Sequence, residues 1–470
     1  MVDVIEAIRA GETTAETDMH LRIGRVKALN PRLNAVLDLF ANDALEAARN
    51  ADANLPLAGI AVAHKNMIWR QGRRVAYGSK IMENHRATAT ATVNRRLDAA
   101  GAIDLASLMM TEFAQGATGH NAHFGPVRNP WNPAHVTGGS SSGSGAAVAS
   151  GMVLASFGSD TAGSIRIPAS LCGVTGLKPT WSRVSCAGTM PLSPSFDCIG
   201  PLARSARDCA SILSLAAGRD DHDPATSHRA VPDYQTALDG DLRGQRIGVP
   251  RQYFLNGVVS SIRDLFSDAL EVLKARGADI VSVDVPAIDD IGICLTLSLR
   301  AEVAAQHADW LCQHLPNYAQ QLATRMMPHA SIPAVAYLTA MRKRPEFLRL
   351  YADEVFDKVD MLACPTVPVS PPTIAESDLE TDPAGALRHY GRIAQNTGFA
   401  SYLGLPALSA PMGLCSNNMP AGLQLIGRPF GEARILKAAD AYQRDTSWHR
   451  LMPDPESGAP QATIASKAQP

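Results

Sequence analysis

Between Gly138 and Ser170 the chain reads GGSSSGSGAAVASGMVLASFGSDTAGSIRIPAS. So many small side chains in one run let backbone approach backbone, which suits close packing inside a protein. A Gly/Ser spacer would join two self-sufficient regions, whereas this one runs straight into AAVASGMVLASFG, which reads as a small-residue helix and strand. A Walker-type phosphate loop ends in G-K-[ST], and no lysine occurs between Lys80 and Lys178. Gly139-Ser140-Ser141-Ser142-Gly143 satisfies G-x-S-x-G, but that turn must follow a strand. The preceding NPWNPAHVT carries two prolines that argue against one. An S-x-x-K hydrolase is excluded because no lysine has serine three positions before it. What survives is a serine hydrolase whose base is a lysine distant in sequence.

At 470 residues, 46% of them hydrophobic, the chain can bury a sizeable core. Its 43 Lys+Arg against 45 Asp+Glu, with no basic stripe, argue against nucleic acid as an obligate partner. The acidic start MVDVIEAIRAGETTAETD lacks the pattern of a signal peptide, and no segment approaches eighteen uninterrupted apolar residues, so a cytoplasmic protein without membrane contact is expected. Eight scattered cysteines without a C-x-x-C pair suit buried thiols better than disulfides or zinc. His120 and His123 have no further ligands nearby in sequence, which favours a loop or packing role over metal binding.

Along the chain, Thr13 or Thr14 can cap a helix running toward Leu29, and IAVAHK reads as a short strand ending in Lys65. Residues 218–234 read as a polar surface connection. RIGVP, the amphipathic SIRDLFSDALEVLKARG with Ile262, Leu265, Phe266, Ala269, Val272 and Leu273 at helical spacing, and IVSVDVP form a strand–helix–strand unit, which supports α/β architecture. Residues 288–360 look mainly helical, and GLPALSAPMG and GLQLIG read as further strands before a last helix from Glu432 to Arg444. The segment 453–470 lacks apolar periodicity and is expected to be disordered.

Lys65 in AVAHKN, Ser140 in GGSSSGSGAAVASG and Ser164 in GSDTAGSIRIPASLCGVTGLKPT together resemble the amidase signature family. The likeness extends through MTEFAQGATGHNAHFGPVRNPWN, FDCIGPLARSARD, GLPALSAPMG and PAGLQLIGRP. It implies one large α/β/α domain over 1–452, with a central mixed sheet covered by helices on both faces. Within it would lie N-terminal helices (1–55), a signature core (56–208), a variable, mainly helical region (235–360) and a return to the core (361–445).

The resemblance makes Ser164 the nucleophile, Ser140 the bridging serine on a cis peptide, and Lys65 the base. The physical logic stands beside it: a serine hydroxyl needs a proton acceptor, and burial can hold a lysine amine neutral. The amides of Thr161, Ala162, Gly163 and Ser164 would face the oxyanion, with Asp160 and Arg166 bracing that turn. Ala114 and Gln115 would line the substrate pocket, together with residues from 290–350 and the loop around Gln395. Ala162 stands where glycine is usual, which matters only if its φ is positive, and Asn66 stands where Asp is frequent, which would favour a neutral Lys65. Ser142 and Gly145 replace the usual Gly and Ala.

The expected function is hydrolysis of a small-molecule amide or carbamate by the chain alone, through an acyl-enzyme. It would need no metal or organic cofactor, no nucleic acid and no membrane, and a homodimer is among the expectations. The alternatives are the glutaminase component of a tRNA-dependent amidotransferase, which releases ammonia from glutamine for a partner, and a catalytically silent binding protein.

Overall fold

The computed structural model describes residues 1–454 and 460–462. Its centre is an eleven-stranded mixed sheet. In chain order the strands are β1 (Val36–Leu39), β2 (Ala61–Lys65), β3 (Ile103–Leu108), β4 (Ala155–Asp160), β5 (Thr175–Lys178), β6 (Cys198–Ala203), β7 (Arg246–Pro250), β8 (Asp279–Val283), β9 (Met361–Pro365), β10 (Ala407–Leu414) and β11 (Pro420–Gly427). Across the sheet they lie β1-β3-β2-β4-β6-β5-β10-β11-β9-β7-β8. The run β3-β2-β4 is parallel, as is β9-β7-β8, and the strands between β4 and β9 pair antiparallel.

Both faces of the sheet are covered, and β11 shows why its residues are buried on each side. A Cβ on Gly422 would press on Ser170 of the helix Arg166–Cys172, and Gln424 bonds Arg166 of that same helix. A Cβ on Gly427 would instead meet Ile435 of the helix Glu432–Asp445. Period-two alternation thus assigns one face to each helix, and such two-sided burial reads in sequence as the near-continuous apolar or small run PAGLQLIG.

After a first helix, Val2–Arg9, a second runs Ala15–Leu33, with Thr14 Oγ1 accepting from the Thr17 amide as its cap. The helix Ser260–Ala275 buries Ile262, Phe266, Ala269 and Leu273 and joins β7 to its parallel neighbour β8. Residues 218–234 make a connection that ends inside the protein, because Tyr234 is fully buried with its hydroxyl accepting from Arg183 Nε at 2.8 Å. Cys312 is exposed and Cys186 half-buried, so two of the eight thiols depart from the buried expectation. Leu451–Pro453 pair antiparallel with Pro460–Ala462, which orders that part of the tail, while 455–459 and 463–470 lie outside the described residues.

The small-residue run does what its composition suggests. The helix Ser142–Ala149 is buried along its whole length and packs on the helix Arg166–Cys172. A Cβ on Gly145 would stand 3.0 Å from both the Cβ and the carbonyl oxygen of Pro168, so glycine where alanine is usual suits this close approach. At Gly143 a Cβ would come within 2.4 Å of the Ala35 carbonyl and 2.7 Å of the Met109 backbone, atoms that cannot step aside. Gly143→Ala should therefore destabilise the fold by about 1–3 kcal/mol, read as a lower denaturation midpoint in urea at unchanged slope. An unchanged midpoint would contradict this packing.

Candidate active site

Strands β2 and β4 run parallel in register, His64 beside Phe157, so their C-terminal ends open on the same edge of the sheet. That edge is where α/β sheets bind ligands, and here it delivers Lys65 from β2 and Ser159 and Asp160 from β4. The Gly139–Ser140 peptide is cis. Its turn rests against a neighbouring segment, because a Cβ on Gly139 would lie 2.5 Å from the Gly116 carbonyl, and Ser140 C=O accepts from the Thr111 amide at 3.2 Å. The turn bearing Ser164 is fastened to this one by the Ser141 amide, which donates to Ser164 C=O at 3.2 Å.

Lys65 is completely buried. Its Nζ donates to Ser140 Oγ at 2.6 Å and to Ser159 Oγ at 2.8 Å, and no carboxylate lies within ion-pair distance among the described residues. Burial drives its pKa down to about 7, against a smaller upward pull from the charges of Asp197 and Asp160. Ser159 donates its own proton to Met67 Sδ at 3.1 Å, which leaves its lone pairs facing the amine. Ser140 Oγ is thus tied to an amine whose pKa is lowered to about 7. Its onward hydrogen bond to Ser164 is not formed among the described residues, and Ser164 remains half-buried.

The turn 160–166 is braced by one ion pair. Arg166 Nε and Nη2 each donate to Asp160 at 2.9 Å, and both side chains are fully buried. Burial pushes the Asp160 carboxyl up, but the Arg166 guanidinium beside it holds it below the ordinary value. Arg166 also donates to Gln424 Oε1 and Ser401 Oγ, so β11 and the helix Gly398–Tyr402 fix the same turn. Asp160 Oδ1 further accepts from the Gly163 amide at 2.7 Å. This corrects the expectation that Gly163 N–H faces an oxyanion: that amide braces the turn, and the amides of Thr161, Ala162 and Ser164 are left as candidates. Gly163 has φ 134°, and a Cβ there would strike Thr397 Oγ1 at 2.3 Å. Ala162 is not among the positive-φ residues, so its Cβ carries no strain, and its carbonyl accepts from Thr397 Oγ1 at 2.6 Å.

Asn66 brings no charge beside Lys65. Its side chain donates to Ser107 Oγ and Arg74 C=O and accepts from the Ala76 amide, which commits it to the neighbouring loop and leaves Lys65 to be tuned by burial. His120 and His123 serve packing: the first bonds Thr118 and Ile374 C=O, the second Glu112. Among the described residues no group of three or more His, Cys, Asp or Glu is placed to hold a metal.

Ala114 and Gln115 lie in a loop gripped by the helical region. Phe113 packs on His307, Trp310 and Tyr318, Arg325 donates to Gln115 C=O at 2.9 Å, and Gln115 Nε2 donates to Met326 Sδ. Gln115 lines a cavity with Gly116, His120, Arg325 and Tyr390, and Ala114, Lys65, Ser140 and Ser164 do not line it. Gln395 is spent on Tyr253, Asn256 and Arg392, and it is Thr397 from that loop that reaches the Ser164 turn.

A profile of the Amidase family matches residues 20–436. The chain belongs to the amidase family. It is 39% identical to the A-type subunit of the glutamyl-tRNA(Gln) amidotransferase of Roseiflexus sp. strain RS-1, over 96% of this chain and 97% of that protein. Among solved structures it resembles the corresponding protein from Thermotoga maritima (32% identity, TM-score 0.79, 92% of each chain). It also resembles a chain of a vestigial protein complex that reveals the evolutionary origins of an s-triazine catabolic enzyme (34% identity, TM-score 0.86, 94% of this chain and 98% of that one). It is an amidase-type enzyme acting on carbon–nitrogen bonds, on the single α/β domain of that family. These findings overturn the expectation of a self-sufficient hydrolase of a small amide or carbamate with no nucleic acid in its reaction, since curated relatives 36–39% identical over 95–97% of this chain are subunits named for a tRNA substrate. No helix among the described residues is long and apolar enough to cross a membrane.

Removing one half of the buried pair leaves the other charge uncompensated. Arg166→Met should therefore destabilise the fold by about 3–5 kcal/mol in chemical denaturation at neutral pH. Stability within about 1 kcal/mol of the parent would show that the pair does not brace this turn.

Proposed function

We propose that this chain is the amide-cleaving component of a glutamyl-tRNA(Gln) amidotransferase, releasing ammonia from glutamine for a partner protein. The observation that carries the reading is 39% identity to such a component over 96% of the chain, combined with a buried Lys65 hydrogen-bonded to Ser140. In this reading Ser164 Oγ attacks the side-chain carbonyl of glutamine. Its proton passes through Ser140 to the neutral amine of Lys65, and the amides of Thr161, Ala162 and Ser164 take the developing oxyanion. The proton returns by the same route to the leaving nitrogen, ammonia departs, and water resolves the acyl-enzyme to glutamate. Asp160 and Arg166 hold the turn, while Ala114 and Gln115 border the bound amide. No step needs a group other than these side chains and backbone amides.

A base with a pKa of about 7 sets the sign of the pH dependence. The protonated amine cannot accept, so ammonia release should rise with pH through one ionisation near 7 and hold its plateau on the alkaline side. Lys65→Ala should lower kcat by about three orders of magnitude, and Lys65→Arg nearly as much, because a guanidinium stays charged. The substrate assignment is tested by supplying glutamine, with and without glutamyl-tRNA(Gln) and a partner protein. Glutamine-dependent amidation of the tRNA in the full mixture is expected, and failure to hydrolyse glutamine in every combination would refute it.

A further inference from the structure

The turn Leu192–Asp197, which leads into β6, joins the Ser164 turn to the outer helices. At its inner end Asp197 Oδ1 accepts from Thr161 Oγ1 at 2.5 Å, and Oδ2 accepts from the amides of Leu192 and Ser193 at 2.8 and 3.0 Å. At its outer end Glu302, on the helix Ile288–His314, accepts through Oε2 from Ser193 Oγ at 2.6 Å and from the Ser195 amide at 3.1 Å. The other oxygen of Glu302 accepts from Tyr337 OH at 3.0 Å, and Arg344 donates to Ser195 C=O at 2.9 Å, both from the helix Ala334–Glu354. Two helices remote from the sheet edge thus grip, by three hydrogen bonds, the turn whose carboxylate holds Thr161, and a fourth bond, from Tyr337, fixes Glu302 itself.

A half-buried carboxylate on a long helix needs no such partners to be stable, since it could turn to water. Glu302 is instead satisfied by three donors from two separate elements, two of them in this turn. Ser193 sits at the crossing: its hydroxyl goes outward to Glu302 and its amide inward to Asp197. Displacing Glu302 frees the turn, the turn aims Asp197, and Asp197 aims Thr161, whose amide belongs to the set facing the reacting carbonyl. Linked hydrogen bonds of this kind couple more strongly than distant residues do.

We propose that Glu302 is a positioning residue for the amide-cleaving reaction, acting through Ser193 and Asp197 on the Thr161 turn. It touches no reacting atom, and its effect falls on the covalent step and not on substrate capture.

The test uses the full chain and a fluorophosphonate probe, whose reaction needs neither glutamine nor a partner. Ser164 Oγ bonds to phosphorus, the P–F bond breaks, fluoride leaves, and the hydroxyl proton passes through Ser140 to Lys65. Glu302→Ala should slow the covalent rate constant about tenfold with the binding constant of the probe within about twofold. Glu302→Gln, which keeps an acceptor for Ser193 and Ser195, should stay within about threefold of the parent. Ser193→Ala, a smaller change, should show the same sign as Glu302→Ala. The double variant Glu302→Ala/Asp197→Asn should be no slower than Asp197→Asn alone. The proposal is overturned by folded Glu302→Ala or Ser193→Ala labelling at the parental rate, by losses that multiply in the double variant, or by a change confined to probe binding. A parent chain that does not label at Ser164 would overturn it together with the nucleophile assignment, whereas failure of the glutamine assay alone leaves it standing.

Discussion

An ammonium group sealed from water between two hydroxyls is in the wrong ionisation state for its surroundings, and the site is organised around that mismatch. Lys65 is buried completely, its nearest acceptors are Ser140 and Ser159, and its pKa falls to about 7. Had Asp160 paired with Lys65, the amine would be held charged. Arg166 occupies that carboxylate instead, so the two buried cations are kept for different tasks. The contrast with Lys178 makes the same point. It too is fully buried with its pKa lowered, but its amine donates to the Pro179 carbonyl and lies 3.6 Å from Cys198 Sγ, with no serine hydroxyl among its partners.

Much of this was legible in the sequence where a local rule sufficed. Strand β2 ending at Lys65, the helix over 260–275 and the antiparallel β10–β11 pair follow from short-range patterning, and the run of small residues declared its own close packing. The Asp160–Arg166 brace was legible in the sequence, whereas the more distant supports were not. Ser159 is one serine among many until β2 and β4 come into register, and Gln424 and Thr397 lie 258 and 235 positions from the residues they hold. Gly163 misleads for the opposite reason. It has the residue type its assigned role requires, yet Asp160, a partner visible only in three dimensions, claims its amide first.

Reading partners from net charge also failed, for a physical reason. A charge of -2 without a basic stripe speaks against a surface that tracks a phosphate backbone by itself. It says nothing about a chain that works beside another protein, where contact with nucleic acid can fall to the partner. Curated relatives 36–39% identical over 96–97% of this chain are subunits named for such a complex, and the amide-cleaving site needs no basic surface of its own.

The proposed reaction requires Lys65 to exist as a neutral amine inside the folded protein. The direct measurement is its own titration, followed by nitrogen-15 NMR of lysine-labelled enzyme, with Lys65→Arg used to assign the signal. The buried site predicts a midpoint of about 7, well separated from the exposed lysines. A Lys65 signal that titrates with them, near the ordinary value of about 10.4, would mean that the amine stays charged at neutral pH and cannot take the proton of the nucleophile.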